Sequence, residues 1–109
     1  MAGSIRIRAS LEDGITHVQA IIRHPMEAGY GIDEASGERK PQHFIQEVTC
    51  RHGEEVVLRC DWSRAVSKNP YLSFTFTGAN AGERFTLSWK DNQGQSDTAT
   101  VAIDEQARA

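Results

Sequence analysis

Cys50-Arg51-His52 is the stretch whose residue types come nearest to chemistry: a thiol two places from an imidazole, with a guanidinium between them. A catalytic cysteine needs an activating base and surroundings that favour the thiolate. Arg51 and His52 supply part of that, but no oxyanion site can be pointed to, and a structural role is the expectation for Cys50. Cys60 alternates with Val56 and Leu58, the setting of a small buried hydrophobe. The four histidines, His17, His24, His43 and His52, are scattered. A metal needs several N, S or O donors converging at about 2.0–2.3 Å. His24 and His43 flank one long connection and can meet at one end of a β domain, but the Cys-x-His pair has no second pair at zinc spacing. Exposed or interface histidines are expected instead of a structural metal. Glu27, Asp33, Glu34 and Glu38 lack the spacing of a calcium loop. Gly29-x-Gly31 is too short for a phosphate fingerprint, and Ser63, Ser67 and Lys68 miss the S-x-x-K spacing. Trp62 and Trp89 fit core packing better than a ligand cage. No catalytic, cofactor or metal site is therefore expected.

Which of these residues can meet depends on the strands that carry them. Ile5 to Ser10 alternates Ile with Arg and reads as a half-buried strand. Asp13-Gly14 turns the chain into Ile15 to Arg23, with Val18, Ala20 and Ile22 on one face and Ile21 interrupting the other. Pro25 ends that strand. Alternation then stops for about seventeen residues and resumes at His43, a long gap of the kind that is often functional.

His43 to Cys50 and Glu54 to Trp62 read as a hairpin. A three-residue loop with Gly53 in the left-handed position suggests a type I turn plus G1 bulge. That register opposes Cys50 to Glu54, Val48 to Val56, Gln46 to Leu58 and Phe44 to Cys60. At ~3.4 Å per residue it holds the cysteines roughly 20 Å apart, beyond reach of a disulfide. Two free thiols are expected. Tyr71 to Gly78, Glu83 to Asp91 and Gln95 to Asp104 follow, with Leu72, Phe74, Phe76, Phe85, Leu87, Trp89, Ala99, Val101 and Ile103 inward. The closing Glu105-Gln-Ala-Arg-Ala is expected to fray. About seven strands with Gly-, Asn- and Asp-rich turns and no helix-period segment give an all-β, immunoglobulin-like antiparallel β-sandwich. The Cys–Trp–Cys spacing of true immunoglobulin domains is absent.

With 109 residues the chain is sized for a single domain spanning 1–109. A net charge of -3 with unclustered lysines and arginines excludes a nucleic-acid stripe. No apolar run is long enough to span a bilayer. The N-terminus has neither an apolar h-region nor a twin-arginine pair, so the expectation is a cytoplasmic protein or one exported with a signal-bearing partner.

Three segments are specific in combination. They are Ile22-Ile-Arg-His-Pro-Met-Glu-Ala-Gly29, His43-Phe-Ile-Gln-Glu-Val-Thr-Cys50, and Ala65-Val-Ser-Lys-Asn-Pro-Tyr-Leu-Ser-Phe-Thr-Phe76 leading into Phe85-Thr-Leu-Ser-Trp-Lys-Asp-Asn-Gln-Gly94. In this order and spacing the chain resembles the SoxZ family, from its first strand to its last. SoxZ is a subunit of the SoxYZ sulfur-carrier complex of bacterial thiosulfate oxidation. The resemblance implies an immunoglobulin-like sandwich and a heterodimer or larger complex with a SoxY-like carrier, whose C-terminal Gly-rich arm holds the cysteine that carries the sulfur intermediates. It also implies transient docking of other Sox enzymes, periplasmic location by co-export, and no cofactor or catalysis on this chain. The sequence shows no Gly-Gly-Cys-Gly-Gly tail, which fits the non-carrier subunit.

Contacts with partners are expected in Pro25 to Pro41 and around Val66 to Tyr71, through Met26, Tyr30, Ile32, His43, Val66, Asn69 and Tyr71. Connection length and apolar residues taken as exposed motivate that choice. The competing reading is a stand-alone sandwich binding a small molecule or a metal, or a thiol enzyme using Cys50 with His52.

Overall fold

The computed structural model describes residues 3–105, so all but the first residue of the expected frayed tail lies outside it. Eight strands form, and among the described residues there is no helix. They are β1 (Ile5–Glu12), β2 (Ile15–Ile22), β3 (Ile45–His52), β4 (Glu55–Asp61), β5 (Tyr71–Thr77), β6 (Arg84–Asp91), β7 (Ser96–Ala102) and β8 (Asp104–Glu105). Two four-stranded sheets result, ordered β5-β2-β1-β8 and β4-β3-β6-β7. This is the expected immunoglobulin-like sandwich with one added strand. The addition, β8, is two residues long and pairs parallel to β1, so the pairing is not wholly antiparallel.

Period-two alternation decides which side chains meet between the sheets. β2 alternates strictly, with Thr16, Val18, Ala20 and Ile22 buried and Ile15, His17, Gln19 and Ile21 outward. Facing it, β6 buries Phe85, Leu87 and Trp89. Val48, Cys50 and Ile103 complete the centre of the core, all at or below 1% exposure. Phe74, Phe76 and Phe85 form a cluster with centroids 5.9–6.2 Å apart, within the range where aromatic pairs attract.

Two irregularities mark β3, and the first, beside the turn into β4, overturns the expected hairpin register. The turn is the two-residue Gly53-Glu54, closing the pair His52 and Glu55, with Gly53 at φ +60 in its first position, where glycine is favoured. A bulge then lets Cys50 face Leu58 while Arg51 faces Val56, so Val57 is the extra residue. A tight turn alone would have put the apolar residues of β4 on the wrong face. The bulge restores Leu58 and Cys60 to the inside and leaves Val56 outside at 48% exposure. Cys60 consequently faces Val48, not Phe44. The two cysteines are diagonal neighbours on one face, about 7–8 Å apart by sheet geometry, instead of roughly 20 Å. Both are free thiols, as expected, but for a different reason. The second irregularity lies between Ile45 and Glu47 on the β6 side and turns Ile45 fully inward.

Candidate functional site

The long connection after β2 leaves and returns at one point. His24 ends β2's path into the core, His43 precedes β3, and Asp91 ends β6. The Asp91 carboxylate joins them. His24 Nε2 lies 3.0 Å and His43 Nε2 2.7 Å from Asp91 Oδ2. Oδ1 accepts the amides of Gln93 (3.0 Å) and Gln95 (2.8 Å), so the turn after β6 wraps the carboxylate. The side chains of His24 and Asp91 are fully buried, and that of His43 is 19% exposed. The imidazoles meet edge-on at 4.5 Å, and His24 stands edge-on to Trp89 at 5.1 Å.

His24 is held on every polar atom. The Met26 amide donates to its Nδ1 (3.0 Å), its own amide donates to Asn69 Oδ1 (3.0 Å), and its carbonyl accepts the Asn69 amide (3.0 Å). Met26 and Asn69 achieve this at φ +46 and +51, positions uncommon for side-chain-bearing residues. The Met26 side chain is itself buried, with its sulfur taking the Ile45 amide at 3.2 Å. Beside the clamp, Asn92 Oδ1 accepts the Phe44 amide and its Nδ2 donates to Gln42 O. The long connection is thus pinned at both feet. Its interior is a small hairpin, bridged at Glu27 with His43 and at Ile32 with Arg39.

Three ligand atoms of His24, His43 and Asp91 lie within 4.8 Å of one another, the raw material of a metal centre. The hydrogen bonds argue against that use. Because His24 Nδ1 accepts an amide proton, the neutral ring carries its own proton on Nε2, which then donates to Asp91. A metal ligand needs that nitrogen bare, with Nδ1–H donating to an acceptor. Two imidazole Nε2 atoms turned onto one carboxylate oxygen make a closed clamp. Burial pushes the His24 pKa down, outweighing the Asp91 bond. Burial pushes Asp91 up, but bonds from His24, the Gln95 amide, His43 and the Gln93 amide hold it below the usual carboxylate value.

The surroundings of Cys50 and His52 do not favour the thiol-enzyme reading. Cys50 is fully buried, and desolvation pushes its pKa up to about 12, the opposite of activation. His52 bonds Glu83 (3.0 Å) and packs on Phe76. Of the seven residues expected at a partner surface, Met26 is a correction: it lies in the core at 6% exposure. His43 is committed to the clamp, Val66 is half-buried, and Asn69 clips His24. Tyr30, Ile32 and Tyr71 are exposed at 66%, 55% and 57%. Arg64 lies 5.1 Å over the Tyr30 ring, so the two connections are neighbours. Sequence reasoning missed Asp91. Its one signal was Asp-Asn-Gln-Gly, where an aspartate caps its own turn.

The segments that built this clamp are those of the sequence resemblance, and comparison with a family model agrees. Residues 5–102 match the model of "Sulphur oxidation protein SoxZ". The chain belongs to the SoxZ family. Its role accordingly lies in sulfur oxidation by the Sox system. No curated protein matches it. Among solved structures it resembles the hypothetical protein PH1083 from Pyrococcus horikoshii OT3, with a TM-score of 0.65 and 15% identity over 95% of each chain. At that identity the likeness concerns the fold alone.

Proposed function

We propose that this chain is the non-carrier, non-catalytic subunit of a SoxYZ-type complex. The family match over residues 5–102 carries the reading. Two features of the chain support it. Neither cysteine is presented on a mobile, solvated arm: Cys50 is buried and Cys60 half-buried, both on strands, with burial raising both thiols. And the His24–His43–Asp91 cluster is closed on itself. Sulfur intermediates then ride on the SoxY-type partner, and this chain stabilises that partner and offers surface to the Sox enzymes. The complex works in the periplasm, reached together with a signal-bearing partner. Tyr30, Ile32 and Tyr71, at the end of the sandwich fixed by the clamp, are the residues proposed to meet partners.

Co-expression with a SoxY-type chain and affinity purification through that chain tests this. A stoichiometric complex is expected, weakened by Tyr30→Ala with Ile32→Ala while the chain stays folded. An unbound chain in the presence of folded partner at micromolar concentration overturns the reading.

A further inference from the structure

The two long sides of the sandwich differ. On one, β1 and β7 pack together, β8 pairs with β1, and Ser4 donates from its amide and hydroxyl to Asp97 (3.0 and 2.6 Å). On the other, β4 and β5 are the edge strands of their sheets. Inward side chains there are only half-buried: Leu58 and Cys60 on β4, and Leu72, Phe74 and Phe76 on β5.

Sheet edges of soluble proteins carry charges, prolines or bulges, or are very short, because a bare edge templates further pairing. Three of the four edges here comply. β4 has Glu55, Arg59 and Asp61 and the bulge; β7 has Asp97; β8 is two acidic residues. β5, Tyr-Leu-Ser-Phe-Thr-Phe-Thr, has no charge and no proline, and it pairs with β2 without a bulge.

Its outward hydrogen-bonding groups can be assigned. The Ile22 amide donates to Pro70 O at 3.0 Å, so Pro70 opposite Ile22 is a hydrogen-bonded position. By alternation Leu72, Phe74 and Phe76 bond towards β2, and the backbones of Tyr71, Ser73, Thr75 and Thr77 point out of the sheet edge. We propose that a second copy of this chain pairs there, antiparallel, about a two-fold axis through Phe74. This register uses all seven residues. Ser73 faces Thr75 of the copy and Tyr71 faces Thr77, as hydrogen-bonded pairs. Phe74 meets Phe74, and Leu72 meets Phe76, on the inner face. Read in the opposite direction the strand matches itself, apolar on apolar and hydroxyl on hydroxyl. Lacking charge, it sets no like charges opposite one another, which a self-complementary contact must avoid. The half-buried apolar row then becomes a core shared by both copies. The proposal stands independently of the carrier reading.

Sedimentation equilibrium of the full chain tests it. The mass should rise with concentration towards twice 12.1 kDa. Thr75→Pro removes an outward amide and no bond to β2, so the thermal midpoint should hold while the dimer dissociation constant rises at least about ten-fold. Ser73→Lys with Thr75→Lys sets like charges opposite and should weaken the dimer most at low salt. Hydrogen exchange at the Ser73 and Thr75 amides should slow with concentration, and that at Leu72 and Phe74 should not change. A monomer at every concentration, or a dimer that survives both variants, overturns the proposal. So does a purified heterocomplex with one copy of this chain and protected Ser73 and Thr75 amides, which would assign the edge to a foreign strand.

Discussion

Replacing Asp91 with alanine should cost more stability than any other single polar change in the chain. The carboxylate accepts four hydrogen bonds, two from imidazoles and two from backbone amides, and is itself fully buried. Three of those donors lie near solvent: His43 is part-exposed, and the Gln93 and Gln95 amides sit in an exposed turn. Water can replace their partner at small cost. His24 Nε2–H has no such recourse, since its side chain is at 0% exposure and its other nitrogen is engaged by Met26. An orphaned buried donor costs about 1–3 kcal/mol, and a hydrogen bond to a charged group contributes about 1.5–3 kcal/mol. A total of about 3–5 kcal/mol is therefore expected from the lost charge-assisted bond and the orphaned donor together. A domain of this size holds roughly 5–15 kcal/mol in all. At ~4–8 °C per kcal/mol, the thermal midpoint should fall by at least about 12 °C. Calorimetry on wild type, Asp91→Ala, His24→Ala and the double variant gives the coupling as well. Coupling above about 1 kcal/mol is expected for partners in direct contact. A midpoint within about 3 °C of wild type, or additive losses, refutes the clamp.

Other consequences are cheaper to measure. His24 has a lowered folded pKa, so between that value and its ordinary 6.5 the unfolded chain binds the extra proton. Stability is whole above pH 6.5 and falls as pH drops through the folded pKa, by at most about 1.4 kcal/mol per pH unit for one proton; urea midpoints in His24→Gln should lose part of that slope. Asp91 adds a second loss below its ordinary 3.8. Zinc or cobalt should leave the thermal midpoint unchanged and cobalt should show no tetrahedral absorption, because His24 presents a proton, not a lone pair; a metal-dependent rise contradicts that tautomer. Thr16 Oγ1 is buried and has no hydrogen-bond partner among the described residues, so Thr16→Val should raise stability by about 1 kcal/mol in chemical denaturation. Cys50 should react with a maleimide only at the rate of unfolding and Cys60 faster; equal rates in the native protein would contradict the burial of Cys50.

Strands with clean alternation were legible: β2, β5 and β6 fall within a residue or two of expectation, with the inward residues assigned correctly. The β3–β4 hairpin was not, because its register depends on a bulge, and a one-residue insertion leaves no mark in composition or periodicity. The apolar pattern of Val48, Cys50, Leu58 and Cys60 permits two registers, and only the geometry at Arg51 and Val57 separates them. At the clamp the meeting of His24 and His43 was foreseeable from their places either side of one connection. Asp91, 67 residues from His24, was not, since nothing local distinguishes an aspartate that caps its own turn from one that also collects two distant imidazoles. Met26 misled for a related reason. A methionine after His-Pro in a glycine-rich loop reads as exposed, and only its left-handed backbone turns the side chain back under Ile45.

The clamp and the bare edge are related by what each leaves rigid. His24, Met26, Asn69 and Asp91 fix where the long connection leaves, where β5 begins and where β6 ends. The bond from Ile22 to Pro70, next to the Asn69 clip, then sets which β5 amides face β2 and which face solvent. A shift of β5 by one residue would send Leu72, Phe74 and Phe76 outward and Ser73 and Thr75 into the core. A strand edge can recruit a partner in one register only if its own register is fixed first. Loosening the clamp should therefore weaken pairing at a site that no clamp residue touches. The Asn69→Ala variant separates the two effects: it removes one acceptor at the start of β5 and leaves the edge sequence intact. If dimer affinity falls with Asn69→Ala while Ser73 and Thr75 are unaltered, register control is the link. If stability falls and affinity does not, the two ends of β5 act independently.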